Sequence, residues 1–149
     1  MQPATLVFCE RTGRWAVAWR TMWARAAPDM ADRPLRIVET RSAAECRETL
    51  AGMPDAFVAI ELTPAGADIA LELLAEVTTN SRHSPMAVLA EHELADYEWL
   101  ARELGAVHFI ASPRQLPSLT GIVCRHAART PATEMGLRES VWSRLPWST

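Results

Sequence analysis

Residues 56–61 read Ala56-Phe57-Val58-Ala59-Ile60-Glu61, the most strand-like stretch of the chain, and the run stops at a carboxylate. A Pro64-Ala65-Gly66 loop follows, then apolar residues at helical spacing from Ile69 to Val77. Working outward, the same alternation recurs. On the N-terminal side, Thr5 to Cys9 and Leu35 to Glu39 predict strands. Between them, Trp15, Ala18, Trp19, Met22 and Trp23 fall on one face of a helix running to about Ala27, with Arg14, Arg20 and Arg25 facing water. Ser42-Ala43-Ala44-Glu45 is a capping box, in which a hydroxyl and a carboxylate satisfy free amides at the start of a helix running to about Ala51.

On the C-terminal side, Met86 to Ala90 and Val107 to Ile110 predict two more strands. A helix is expected from Leu94 to Leu104, stopped by Gly105 in a left-handed conformation. A last amphipathic helix runs from about Leu116 to Ala128. Strand and helix alternate five times, which predicts an α/β chain with a five-stranded parallel sheet. Right-handed crossovers put helices on both faces, so the expected architecture is a flavodoxin-like (βα)5 three-layer sandwich over 1–128, with 129–149 as a C-terminal tail.

A chain of 149 residues, 49% apolar and 22% charged with a net charge of −3, suits one globular core and not a disordered chain. All fifteen cationic side chains are Arg. Without lysine, Schiff-base, pyridoxal-phosphate, P-loop NTPase and protein-kinase chemistry are excluded in their usual forms. Cys9, Cys46 and Cys124 make neither a CxxC nor a zinc-finger spacing, and reduced buried thiols in a cytoplasmic protein are expected. Arg mixed among Asp and Glu leaves no basic stripe for nucleic acid. Apolar runs end well short of the roughly 18 residues that span a bilayer, and the first 30 residues hold charges in place of a signal core, so no membrane contact is expected.

In such a sheet the functional residues stand at the carboxyl ends of the strands. Those positions are Cys9 and Glu10, then Glu61, then Ala90, Glu91 and His92, then Ser112 and Pro113.

Over about residues 4 to 128 the chain resembles the response-regulator receiver domain. The resemblance is carried by Phe57-Val58-Ala59-Ile60-Glu61 with Pro64 and Leu71-Glu72-Leu73-Leu74, by Leu104-Gly105-Ala106-Val107-His108-Phe109-Ile110, and by Ser112-Pro113. It implies a cytoplasmic module of bacterial two-component signal transduction and phosphorelays. In that family an acidic pair and an Asp hold Mg²⁺, the Asp accepts the phosphoryl group, and a hydroxyl and a Lys contact it. Here the corresponding residues are Cys9 and Glu10 for the pair, Glu61 for the acceptor, Ala90 for the hydroxyl and Ser112 for the lysine. Pro113 and an aromatic switch residue, Phe109, are kept, and the loop after Glu61 reaches its proline one residue early.

These departures predict a degenerate pocket. Mg²⁺ prefers carboxylates and water, and phosphoryl transfer needs positive charge against the developing oxygens. Glu in place of Asp displaces the carboxylate by roughly 1.5 Å, and a miss of about 1 Å can already cost a hundredfold. The expectation is a pseudo-receiver with no cofactor, no metal and no catalytic residue, with Glu61 either imitating an activated state or standing solvated at a strand end.

The Trp15, Trp19 and Trp23 stripe reads as core. A zinc site from Cys9, Glu61 and His92, or a flavin phosphate loop at Thr12-Gly13, carries little sequence signal, and no Gly-x-Ser-x-Gly occurs. His108 is expected as a partly buried strand residue. By resemblance, the fourth helix, fifth strand and fifth helix form the face for a protein partner or homodimer, bearing Tyr97, Trp99, Phe109 and Ile122, and Trp99 suits interface and core equally. In the tail, Trp142, Leu145 and Trp147 are expected to dock on the domain or on another chain. The reading is a non-enzymatic, stand-alone, phosphorylation-independent interaction module. Its alternative is a small flavodoxin-like ligand-binding or catalytic domain using Cys9, Glu10, Glu61 and His92.

Overall fold

The computed structural model describes residues 3–30, 34–80 and 83–129. The sheet is built from β1 (Ala4–Cys9), β2 (Leu35–Thr40), β3 (Phe57–Leu62), β4 (Met86–Ala90) and β5 (His108–Ile110). All pairings are parallel, in the order β2-β1-β3-β4-β5. The helices are α1 (Arg14–Met30), α2 (Ala43–Ala51), α3 (Ala67–Asn80), α4 (Glu98–Glu103) and α5 (Leu116–Arg129). This is the expected α/β sandwich of five parallel strands. Trp142, Leu145 and Trp147 lie outside the described residues.

Period-two alternation divides the strands between two cores. Leu6, Phe8, Phe57, Ala59, Ala87, Leu89 and Ile110 face Trp15, Ala16 and Trp19 of α1 and Leu116, Leu119 and Val123 of α5. Val7, Cys9, Val58, Ile60, Leu62, Met86, Val88, Ala90 and Phe109 face the other way, toward Cys46 of α2, Leu73 and Leu74 of α3 and Ala101 of α4. The tryptophan stripe is core as expected: Trp15 and Trp19 are fully buried, and Trp19 stacks on Trp23 with centroids 5.5 Å apart.

Local chemistry starts and stops the elements where the chain needs them. The Ser42 hydroxyl accepts from the Glu45 amide at 3.1 Å, and the Glu45 carboxylate reaches back to the Arg41 amide at 3.1 Å, which launches α2. Gly105 has φ +111°, and a β-carbon there would meet Thr78 at 2.8 Å. The Thr78 hydroxyl donates to the Leu104 carbonyl at 2.7 Å, so the turn into β5 closes against α3.

One element differs from its sequence expectation. The single helix expected over Leu94 to Leu104 is split into a 3-10 helix, His92–Tyr97, and the short α4. Neither Glu91 nor Tyr97 supplies a side-chain cap, so the free amides tighten into 3-10 turns. Only Leu94 and Ala101 of this segment are buried, too few to impose one continuous apolar face.

Candidate functional site

Because β1, β3 and β4 are neighbours and parallel, their carboxyl ends meet beside the start of α1. Glu10, Glu61 and Glu91 share the parity of Phe8, Ala59 and Leu89, which places all three on the α1 side. They have different surroundings. Glu10 is buried, and its two oxygens accept from the Trp15 and Ala16 amides, both at 2.8 Å. Its charge thus meets the positive end of α1.

Glu61 lies within β3, opposite Leu89, rather than solvated beyond the strand. Its side chain is only 6% exposed. Oε2 accepts from the Trp15 indole at 3.0 Å and from Arg14 Nε at 3.3 Å, while Oε1 accepts from the Arg11 amide at 3.4 Å. Arg14 continues to Glu91, pairing through its terminal nitrogen with Oε1. The guanidinium therefore bridges the ends of β3 and β4. The contact with Glu91, and then Glu61, raises the affinity of Arg14 for its proton, and Arg14 in turn lowers the pKa of Glu91. Arg14 also stands 5.4 Å from the Trp15 ring centre, within cation–π range.

A tight turn sets this arginine in place. Gly13 has φ +86°, and a β-carbon there would come within 2.8 Å of the Arg41 guanidinium and 3.2 Å of Glu39. Glu39 is itself held by Arg41 and Arg20, each at 2.9 Å, and these contacts lower its pKa. The Thr12-Gly13 turn is thus packed against the Arg41–Glu39 ion pair, whose charges already satisfy each other. Sequence reading left Arg14 among the solvent-facing residues of α1. The missed signal is topological: the first residue of a helix that follows β1 lies over the ends of β3 and β4.

Arg11, Thr12, Arg14, Glu61, Leu62, Thr63, Pro64, Ala65, Glu91 and Leu94 line a cleft of about 450 Å³. Of the strand-end residues expected to form the pocket, Cys9, Glu10, Glu61, Ala90, Glu91, His92, Ser112 and Pro113, Glu61 and Glu91 line it. Cys9 turns to the opposite face and donates to the Ser42 carbonyl at 3.6 Å. Ala90 is buried, and Ser112 accepts from the Arg114 amide at 3.3 Å as the cap of a 3-10 turn, Pro113–Gln115. His92 is exposed and does not line the cleft, so the four residues of the ligand-binding alternative do not share it.

The residues present do not fit a divalent cation. Both Glu10 oxygens are taken by helix amides, Cys9 faces away, and Glu61 Oε2 is held by an indole and a guanidinium while its Oε1 accepts from the Arg11 amide. Among the described residues no three His, Cys, Asp or Glu side chains converge as metal ligands.

At the far edge, Trp99 of α4 is 72% exposed, which resolves its equal weighting toward the surface. Phe109 is 6% exposed and Tyr97 is partly buried against the same core. Ile122 packs partly buried on the α1 side. His108 is half-buried and its Nε2 lies 2.8 Å from the Ser118 hydroxyl. Burial, then the charge of Arg102, lowers its pKa.

No protein-family model matches the chain, and no curated protein matches it. Solved structures do. The receiver domain of TorR, the response regulator of the TMAO respiratory system, aligns with TM-score 0.65 at 15% identity, covering 85% of this chain and 98% of its own. A two-component response regulator from Clostridium difficile gives TM-score 0.66 at 10% identity, covering 87% and 99%. FixJ-N gives 0.63 at 20% identity, covering 89% and 100%. At these identities the likeness is one of fold: the chain folds as response-regulator receivers do.

Proposed function

We propose that this chain is a receiver-like signalling module that contacts a protein partner or a second copy of itself without being phosphorylated. The observation carrying the reading is Arg14, held between Glu61 and Glu91. A receiver site brings carboxylates together so that a metal and a phosphoryl group can join them. Here the chain supplies the neutralising cation itself. Ala90 has no hydroxyl to offer, and Ser112 is occupied as a cap. A saturated site of this kind favours one fixed surface over two alternating ones.

The face formed by α4, β5 and α5 is the place of contact in this reading. Trp99 is its protruding group, while Tyr97 and Phe109 pack beneath and hold α4 against β5. Among the described residues no helix is long and apolar enough to cross a membrane, and action in the cytoplasm fits the reduced cysteines.

Calorimetric titration of the metal-stripped full chain, first with Mg²⁺ and then with beryllofluoride, tests the reading. No saturable heat is expected from either. Saturable binding of both would overturn it, because the pocket would then accept metal and a phosphoryl mimic despite its arginine.

A further inference from the structure

The receiver-like reading makes no use of two nucleophilic side chains on the other face of the sheet, Cys9 at the end of β1 and Cys46 in α2. One peptide oxygen anchors both. The Cys9 thiol donates to the Ser42 carbonyl at 3.6 Å, and the Cys46 amide donates to that same oxygen at 3.0 Å. Sharing that oxygen makes the two cysteines neighbours, and each sulfur acts on the other's acidity, as does the Thr40 side chain. Both belong to one apolar cluster, and neither is in a disulfide.

The pair is asymmetric. Cys46 is wholly enclosed, whereas Cys9 retains 7% exposure at the open end of its strand. The contact with Cys46 lowers the pKa of Cys9, while the neighbouring sulfur and burial push Cys46 up. The outer sulfur is therefore the more acidic, and thiolate character together with access decides which thiol an oxidant meets first.

We infer that Cys9 and Cys46 form a peroxide-sensitive dithiol that closes to a disulfide, with Cys9 attacked first and Cys46 resolving. The Cys9 thiolate attacks one oxygen of hydrogen peroxide, the O–O bond breaks, and the departing hydroxide takes a proton to leave as water. Cys9 is then a sulfenic acid. The Cys46 sulfur loses its proton and attacks the Cys9 sulfur, the S–O bond breaks, and the hydroxide leaves as a second water. Two thiols and one peroxide give one disulfide and two waters, with two electrons passing from sulfur to oxygen. The new bond fastens β1 to α2 and encloses α1 and β2 in a covalent loop.

The test treats the reduced full chain with hydrogen peroxide, alkylates the remaining thiols and maps the products by mass spectrometry. A Cys9–Cys46 cross-linked peptide with only Cys124 alkylated is expected, together with a melting temperature that rises and is reversed by dithiothreitol. Alkylation of all three cysteines after peroxide, or oxidation confined to Cys124, would overturn the inference. In Cys46→Ala, dimedone is expected to trap a sulfenic acid at Cys9; predominant trapping at Cys46 in Cys9→Ala would overturn the order of attack. Mapping on the unsubstituted chain decides the disulfide itself even where a variant fails to fold.

Discussion

The Trp15 indole donates to Glu61 Oε2 across 3.0 Å, tying the first turn of α1 to the end of β3. Both side chains are nearly buried, Trp15 at 1% and the Glu61 side chain at 6%. A tryptophan that looks purely apolar in sequence thus also supplies a polar anchor to the cleft.

Trp15→Phe keeps most of the ring and removes that donor. Glu61 then depends on Arg14 and one long amide contact, and stability is expected to fall by about 1–3 kcal/mol, the cost of leaving a buried acceptor short of a partner. Urea denaturation measures it. An unchanged midpoint would show that Arg14 alone satisfies the carboxylate.

Trp19 and Trp99 should part company in the same assay. Trp19 is fully buried, and Trp19→Ala is expected to cost about 3–5 kcal/mol. Trp99 is mostly in solvent, and Trp99→Ser is expected to move stability by no more than about 0.5 kcal/mol. In light scattering, Trp99→Ser is expected to abolish any self-association of the full chain; association that survives it would remove Trp99 from the contact.

Restoring two receiver residues together is expected to fail. Glu61→Asp combined with Ser112→Lys should remain unlabelled by acetyl phosphate and Mg²⁺, because Arg14 still pairs with Glu91 in the cleft and Glu10 still caps α1. Intact mass reads the result directly. A phosphoryl adduct would show that the scaffold needs only those two changes.

His108 sets a pH window. Its folded pKa lies below the ordinary 6.5, so in acid the unfolded chain takes up this proton first. Stability rises with pH wherever the unfolded state binds more protons, and it is therefore lost as pH falls below about 6.5. Burial and Arg102 oppose protonation, while Glu98 works against them. His108→Gln is expected to flatten the melting temperature between about pH 6.5 and 5.5, above the range where carboxylates dominate. The same slope in wild type and variant would dismiss the assignment.

Much of the fold was legible because apolar runs of strand length alternate with helical spacing, and because Ser42, Glu45 and Gly105 mark boundaries by local chemistry. The site was legible only in part. Strand ends could be listed, but their facing depends on parity carried past the last strand residue, and that parity separates Cys9 from Glu10. Arg14 was hidden because its partners, Glu61 and Glu91, come from distant segments that only the β1-β3-β4 order brings together. The split of the helix before Gly105 was hidden because its few apolar residues fit an α-helical period without being enough to enforce it.

The sheet finishes on β5, only three residues long, while its opposite border is the six-residue β2. A strand so short offers a stray chain almost no ladder to extend, and Arg36, exposed on β2, sets a charge on the longer border. Recruitment of a partner by adding a strand to this sheet is thus discouraged at both margins, and filament growth by edge-to-edge stacking is discouraged with it. Among the described residues, the three large apolar side chains most exposed, Trp99, Val17 and Ile69, all project from helices.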